Sequence, residues 1–227
     1  MRNRVRERVW RLIEAGHGAI PPSRTCYGDL GPVVVIRIDA SLVESHSDKQ
    51  HAAGNFKGGY GFHPLTAWCD NTGELLAVIC RPGNAGSNTA ADHIAIIDAA
   101  IAATIPAKWR RNLLITIDGA GCSHAVVEHL TKLNARPGWS VAYSVGFDLD
   151  ERARGAIGQM PAAGWEAALN PAGKARDDAQ VAELTGLLRA GADGDRLDGW
   201  PADMRILVRL DYRLAGQHRR RDQTPGS

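Results

Sequence analysis

Two rhythms of apolar positions run along this chain. In residues 2–15, Val5, Val9, Leu12 and Ile13 recur at helical spacing, with Arg2, Arg4, Arg6, Arg8 and Arg11 between them. That pattern predicts an amphipathic helix docking its Val/Leu stripe on the body, with the arginines either solvated or reaching for phosphates. GHGAIPPSR (16–24) breaks it with Gly and a Pro pair. From residue 31 the texture becomes that of strands. VVVIRIDASLV (33–43) is β-branched and nearly continuous, like a buried central strand. HSDKQHAAGNFKGGYG (46–61) reads as a long loop or a broad hairpin turn, and FHPLTAWCD (62–70), NTG (71–73) and ELLAVICR (74–81) as two strands about a tight turn.

Beyond the breaker-rich PGNAGSNTA (82–90), Ser87 or Asn88 is the expected N-cap of a helix over 89–104. Ile94, Ile97, Ile101 and Ile105 share its face and Pro106 ends it. NLLITIDGAG (112–121) predicts a strand, Ser123 caps a helix over 124–134, WSVAYSVGF (139–147) predicts a fifth strand, and 149–158 a helix. The order β-β-β-α-β-α-β-α implies an α/β fold: a three-stranded antiparallel meander, then alternating helices and strands in one mixed sheet. Further on, 177–188 reads as a helix, MRILVRL (204–210) as a strand, and HRRRDQTPGS (218–227) as a disordered basic tail. The chain therefore divides into a basic helix and linker (1–30), a core (31–160) and a partial insertion region with a divergent tail (161–227).

Composition narrows the class without naming it. Apolar residues are 44% and charged residues 23%, ordinary for a folded chain. No apolar run is long enough to span a bilayer, and the start lacks a signal peptide's apolar segment. Cys26, Cys69, Cys80 and Cys122 form no C-x-x-C pair, which predicts buried, reduced thiols in the cytoplasm. A net charge of +2 neither requires nor excludes a nucleic-acid partner.

The informative residues are two acids at strand ends. Asp39 lies inside VVVIRIDAS and Asp118 closes LLITIDGAG. A carboxylate at the end of an apolar strand is costly unless paired, and two such groups side by side repel. A hard divalent cation, Mg²⁺ or Mn²⁺, removes that cost and suits in-line displacement at phosphorus. The plainer role is a turn cap or an arginine partner. A Ser41-His46-Asp triad has no nucleophile elbow to support it. His46, Lys49 and Lys57 follow the first strand as candidate phosphate contacts. Arg81 opens RPGNAG, which lacks the ending of a nucleotide P-loop and reads as a turn permitting close approach of DNA backbone. Trp68, Trp109, Trp139 and Trp165 read as packing rather than base-stacking residues.

IDAS, HSDK (46–49), FKGGYGFHPL (56–65), WCDNTGELLAVICRPGNAGSNTAADH (68–93), ITIDGAG (115–121) and YSVGF (143–147) together resemble the bacterial insertion-sequence transposases of DDE group I. The resemblance runs from about Val33 to Val208. It implies a ribonuclease-H-like core, divalent metal (Mg²⁺ or Mn²⁺), DNA element ends as partner, no membrane, and a homodimer in the intact family. Asp39, in Asp39-Ala40-Ser41 where the family has Asp-x-Thr, and Asp118 are the implied catalytic and metal-binding acids. The family's third acid, a Glu on a helix beyond a β-rich insertion, has no match; MRILVR (204–209) resembles the insertion's opening and the chain then departs. Glu151, Glu166 and Glu183 are the acids available by order. The expectation is a DDE transposase fragment truncated at both ends, with a catalytically dead DNA-binding remnant as the alternative. Geometrically, strand 112–118 should lie parallel to and beside strand 33–41, with Asp39 and Asp118 facing one another.

Overall fold

The computed structural model describes residues 2–45, 48–86, 89–104, 107–190 and 195–212. It divides into two compact units, residues 1–25, 29–148 and 199–202 in the first, and 26–28, 149–198 and 203–227 in the second. In chain order the first unit begins with α1 (Arg2–His17), followed by the two-residue strands β1 (Arg24–Thr25) and β2 (Gly28–Asp29), of which Gly28 belongs to the second unit. Then come β3 (Val34–Ala40), β4 (Val43–Glu44), β5 (Ala53–Gly54), β6 (Tyr60–Phe62), β7 (Leu65–Cys69) and β8 (Glu74–Ile79). The unit continues with α2 (Ala90–Ala103), β9 (Asn112–Ile117), α3 (His124–Asn134) and β10 (Ser140–Val145).

Its centre is a five-stranded mixed sheet in the order β10-β9-β3-β7-β8. β3 runs antiparallel to β7 and parallel to β9, and β9 runs parallel to β10. This is the order and direction expected of a ribonuclease-H-like core. One face is apolar: Val34, Ile36 and Ile38 of β3 alternate inward beside Leu113, Ile115 and Ile117 of β9. They join Ile96, Ile97 and Ala100 of α2 and Val126, Leu130 and Leu133 of α3 in one core. The β-branched runs favour strands because their stiff side chains fill this layer on both sides of the pleat's period. On the opposite face Arg37 and Asp39 are exposed, and Trp68 of β7 is 41% exposed.

Asn71, in the turn between β7 and β8, is buried because it serves as a bracket. Its Oδ1 accepts from Val35 N at 2.8 Å, and its Nδ2 donates to Pro21 O (3.0 Å) and Val33 O (2.9 Å). The Pro-rich linker is thereby fastened to β3. Ser123 caps α3 as expected, accepting from Val126 N. α2 buries Ile97 and Ile101 of its expected stripe, along with His93 and Ile96. The N-cap of α2 is Thr89 rather than Ser87 or Asn88, and it makes no side-chain capping bond; Ser87, Asn88, Ile105 and Pro106 lie outside the described residues.

The N-terminal helix forms, but the stripe does not dock. Val5, Val9 and Leu12 are 57%, 45% and 63% exposed, whereas Arg6 and Trp10 are 6% and 0% exposed. The reason is a long-range pair. Arg6 Nε donates to Glu74 Oε1 at 2.7 Å, Trp10 Nε1 donates to Glu74 Oε2 at 2.9 Å, and Arg6 Nη2 reaches Leu75 O at 2.9 Å. One carboxylate on an edge strand thus selects which face of α1 turns inward, overriding the local apolar pattern. Arg6 is thereby withdrawn from the surface, whereas Arg4, Arg8 and Arg11 remain exposed.

The second unit holds α4 (Glu151–Gln159), β11 (Glu166–Leu169), β12 (Ala175–Glu183), α5 (Thr185–Arg189) and β13 (Leu207–Asp211). The helix expected over 177–188 is instead β12 followed by the short α5. β12 pairs antiparallel with both β11 and β13, so ladder bonding on two sides prevails over local helix propensity. The thiols also differ from expectation. Cys69 alone is buried, Cys26 and Cys122 are half-buried and Cys80 is exposed, and none of the four is in a disulfide. The tail from 213 lies outside the described residues. Among the described residues no helix is long and apolar enough to cross a membrane.

Candidate active site

Asp39 and Asp118 come from the two central parallel strands. The last register pair of that ladder is Ile38 with Ile117, and Asp39 and Asp118 are the residues that directly follow it on the two chain segments. Neighbouring strands are about 4.8 Å apart, which sets the spacing of the two backbones there. Ile38 and Ile117 are buried, so the pleat turns Asp39 to the opposite face, and both Asp39 and Asp118, which follows the end of β9, are exposed.

Around Asp39 the side chains are small and polar. Ser41 Oγ donates to Asp39 Oδ2 at 3.3 Å, and Thr66 Oγ1, on the paired strand β7, donates to Asp39 O at 3.0 Å. Arg37, two residues earlier on the same face, is engaged by Asp70, with Nε 2.5 Å from Oδ1. That bond holds the Asp70 carboxyl below its ordinary value. Arg37 is therefore directed to Asp70 rather than to Asp39.

Asp118 is held by backbone packing. It precedes a single 3₁₀ turn, Gly119–Gly121, and its side chain makes no capping bond. Gly121 N donates to Asp118 O, and Gly146 N donates to Ile117 O at 3.2 Å. A Cβ on Gly146 would sit 2.3 Å from Gly119 Cα, and one on Gly121 would sit 2.2 Å from Ile117 Cγ2. Two glycines thus let the loop after β9 fold close against the end of β10. The sequence reading missed Gly146 as a positioning residue; its signal was the glycine in YSVGF, directly after the fifth strand.

A family model described as transposase DDE domain group 1 matches residues 5–220. The chain belongs to the transposase DDE domain group 1 family. Members of this DDE family use divalent metal ions. No curated protein matches the sequence significantly. Among solved structures, the chain is similar to a piggyBac transposase in a synaptic complex with hairpin DNA. The identity is 11% and the TM-score 0.43, over 70% of this chain and 32% of that one. The chain therefore spans about a third of that protein's length.

The other candidate residues of this DDE domain are dispersed. Lys49 and Lys57 are exposed on the segment between β4 and β6. His46 lies outside the described residues. Arg81 is 4% exposed, so its guanidinium does not front the surface. Its Nε donates to His63 O at 2.9 Å, and Nη1 lies 3.3 Å from Gly86 O and 3.4 Å from Asp92 Oδ2. Of the acids considered for the third position, Glu151 begins α4 and Glu166 begins β11, both exposed. Glu183 is held by Arg205 at 2.6 Å and by Thr185 at 3.0 Å, with its carboxyl below the ordinary range chiefly through Arg205. Among the described residues no group of three His, Cys, Asp or Glu side chains could hold a metal ion.

Proposed function

We propose that this chain is the catalytic region of a DDE transposase, cutting DNA at the ends of an insertion sequence and joining it elsewhere. What supports this reading is that Asp39 and Asp118 each directly follow a residue of the last register pair of the central parallel ladder, Ile38 with Ile117, and that both are exposed. Two unshielded carboxylates on adjacent strands are oxygen donors of the kind that hard cations favour. Asp39 and Asp118 would hold Mg²⁺ or Mn²⁺, which when bound promotes attack of water or a 3′-hydroxyl at phosphorus. Ser41 steadies one oxygen of Asp39, and Thr66 fixes the backbone behind it. Gly146 and Gly121 hold the Asp118 loop in register. Lys49 and Lys57, on the segment that leaves the Asp39 strand, contact DNA phosphates.

The test is cleavage of DNA bearing the element's ends in Mn²⁺, for the wild type beside Asp39→Asn and Asp118→Asn. The reading expects metal-dependent cleavage that both variants lose. Cleavage unchanged in both variants would overturn it, and DNA binding with no cleavage by any form would establish the binding remnant instead.

A further inference from the structure

β13 ends the three-stranded sheet of the second unit, and among the described residues only β12 pairs with it. Its five residues carry neither a proline nor a bulge, two of the devices that blunt a sheet edge. The bonds at the two ends of the ladder show which backbone groups are already engaged. Leu184 N donates to Ile206 O at 2.8 Å, and Tyr212 N donates to Asp178 O at 2.7 Å. Hydrogen-bonded pairs alternate along an antiparallel ladder, so Val208 and Leu210 also bond inward to β12. The N–H and C=O groups of Leu207, Arg209 and Asp211 therefore face away from β12, where no strand among the described residues meets them.

The side chains along this edge are unusually apolar for one facing water. Leu207, Leu210 and Tyr212 are 65%, 38% and 50% exposed, and Leu210 and Tyr212 share a face with the half-buried Val208. The charges among them are Arg209 and Asp211, both exposed, with Arg209 Nε 2.8 Å from Asp211 Oδ2. A strand with one positive and one negative residue two positions apart is complementary to a reversed copy of itself, because opposite charges then face each other across the pair.

We propose that β13 is an interface between two copies of this chain, joined antiparallel, edge to edge, about a two-fold axis at Leu210. Outward backbone groups must meet outward groups, which restricts the centre of the pairing. Centred on Arg209 or on Asp211, it sets that residue against its own copy, and like charges directly opposite are destabilising. Centred on Val208, it leaves Arg209 opposite Leu207. Centred on Leu210, it sets Arg209 of each copy opposite the second copy's Asp211, in hydrogen-bonded pairs. Leu210 then meets Leu210 and Val208 meets Tyr212, so the exposed apolar face continues across the seam. Such a contact is the same patch on both copies, each residue pair occurring twice, and it closes on itself at this edge. The proposal does not depend on the transposase reading.

Sedimentation of the full chain across a dilution series, without DNA, measures the association. The strand is short, so the dimer should appear as a concentration-dependent doubling of mass. Arg209→Asp alone and Asp211→Arg alone each set like charges opposite and should raise the dissociation constant by about tenfold or more. Mixed one to one, the two variants again place opposite charges across the seam and should associate as the wild type does, a rescue that misfolded chains would not give. Arg209→Pro removes an outward N–H and leaves the β12 ladder its bonds, so it should be monomeric with an unchanged circular dichroism spectrum. A wild type that stays monomeric at every concentration would overturn the proposal, whether β13 is left open or is covered by the chain's own residues 213–227. So would a dimer that neither charge swap nor the proline weakens, or swapped variants that associate no better mixed than apart.

Discussion

Replacing Glu74 by Ala should loosen α1 from the core. Two bonds disappear, the charge-assisted one from Arg6 Nε at 2.7 Å and that from Trp10 Nε1 at 2.9 Å. The first is worth about 1.5–3 kcal/mol and the second about 0.5–1.5 kcal/mol. The Glu74 side chain is 33% exposed, so solvent screening trims the upper end and about 2–3 kcal/mol remains. Arg6 keeps Leu75 O, Ala103 O and Asn3, so it is not wholly stranded. Urea unfolding followed by circular dichroism should show that loss, and thermal unfolding a midpoint temperature lower by about 4–12 °C. Adding Arg6→Met to Glu74→Ala should cost less than the two single changes summed, since no buried charge is left unpaired. A Glu74→Ala chain within about 0.5 kcal/mol of the wild type would refute the claim that this carboxylate anchors the helix.

Gly146→Ala should reduce metal-dependent cleavage and destabilise the chain by about 1–3 kcal/mol, because the new methyl meets Gly119 Cα at 2.3 Å; unfolding and cleavage measured together check it. In acid, the Asp70–Arg37 bond contributes stability that is fully present above the ordinary carboxyl value of 3.8 and is lost as pH falls through the lower folded value. Asp70→Asn should therefore flatten that part of a stability-versus-pH curve; an unchanged acid limb would count against it. Cys80 should be labelled by a thiol reagent in the native chain. Cys69, buried and with its thiol pushed up chiefly by burial, should react only on unfolding, as peptide mass spectrometry would show.

The central sheet was legible because its strands carry their own instructions. Buried β-branched runs, an NTG turn and a Ser N-cap are local signals, and they sufficed for β3, β7, β8, β9 and α3 in their observed order. The two acids drew attention for a related reason: a charge ending an apolar strand is conspicuous against its neighbours. What escaped depended on partners distant in sequence. Nothing within residues 2–15 indicates that Glu74 will draw Arg6 and Trp10 inward in preference to Val5, Val9 and Leu12. Nothing within 177–188 discloses the two flanking strands that make Ala175–Glu183 a strand. Arg81 looked like a surface cation because its burial is set by His63, Gly86 and Asp92 together. Gly146 acts through steric absence, which a pattern of polar and apolar positions does not register.

The claim on which the account turns is that Asp39 and Asp118 jointly hold a divalent cation. Titration of the full chain with Mn²⁺, following the free-ion signal by electron paramagnetic resonance, measures this without any DNA. The wild type should bind Mn²⁺, and Asp39→Asn and Asp118→Asn should each weaken binding by about tenfold or more. Equal Mn²⁺ binding by the wild type and both variants would contradict the account.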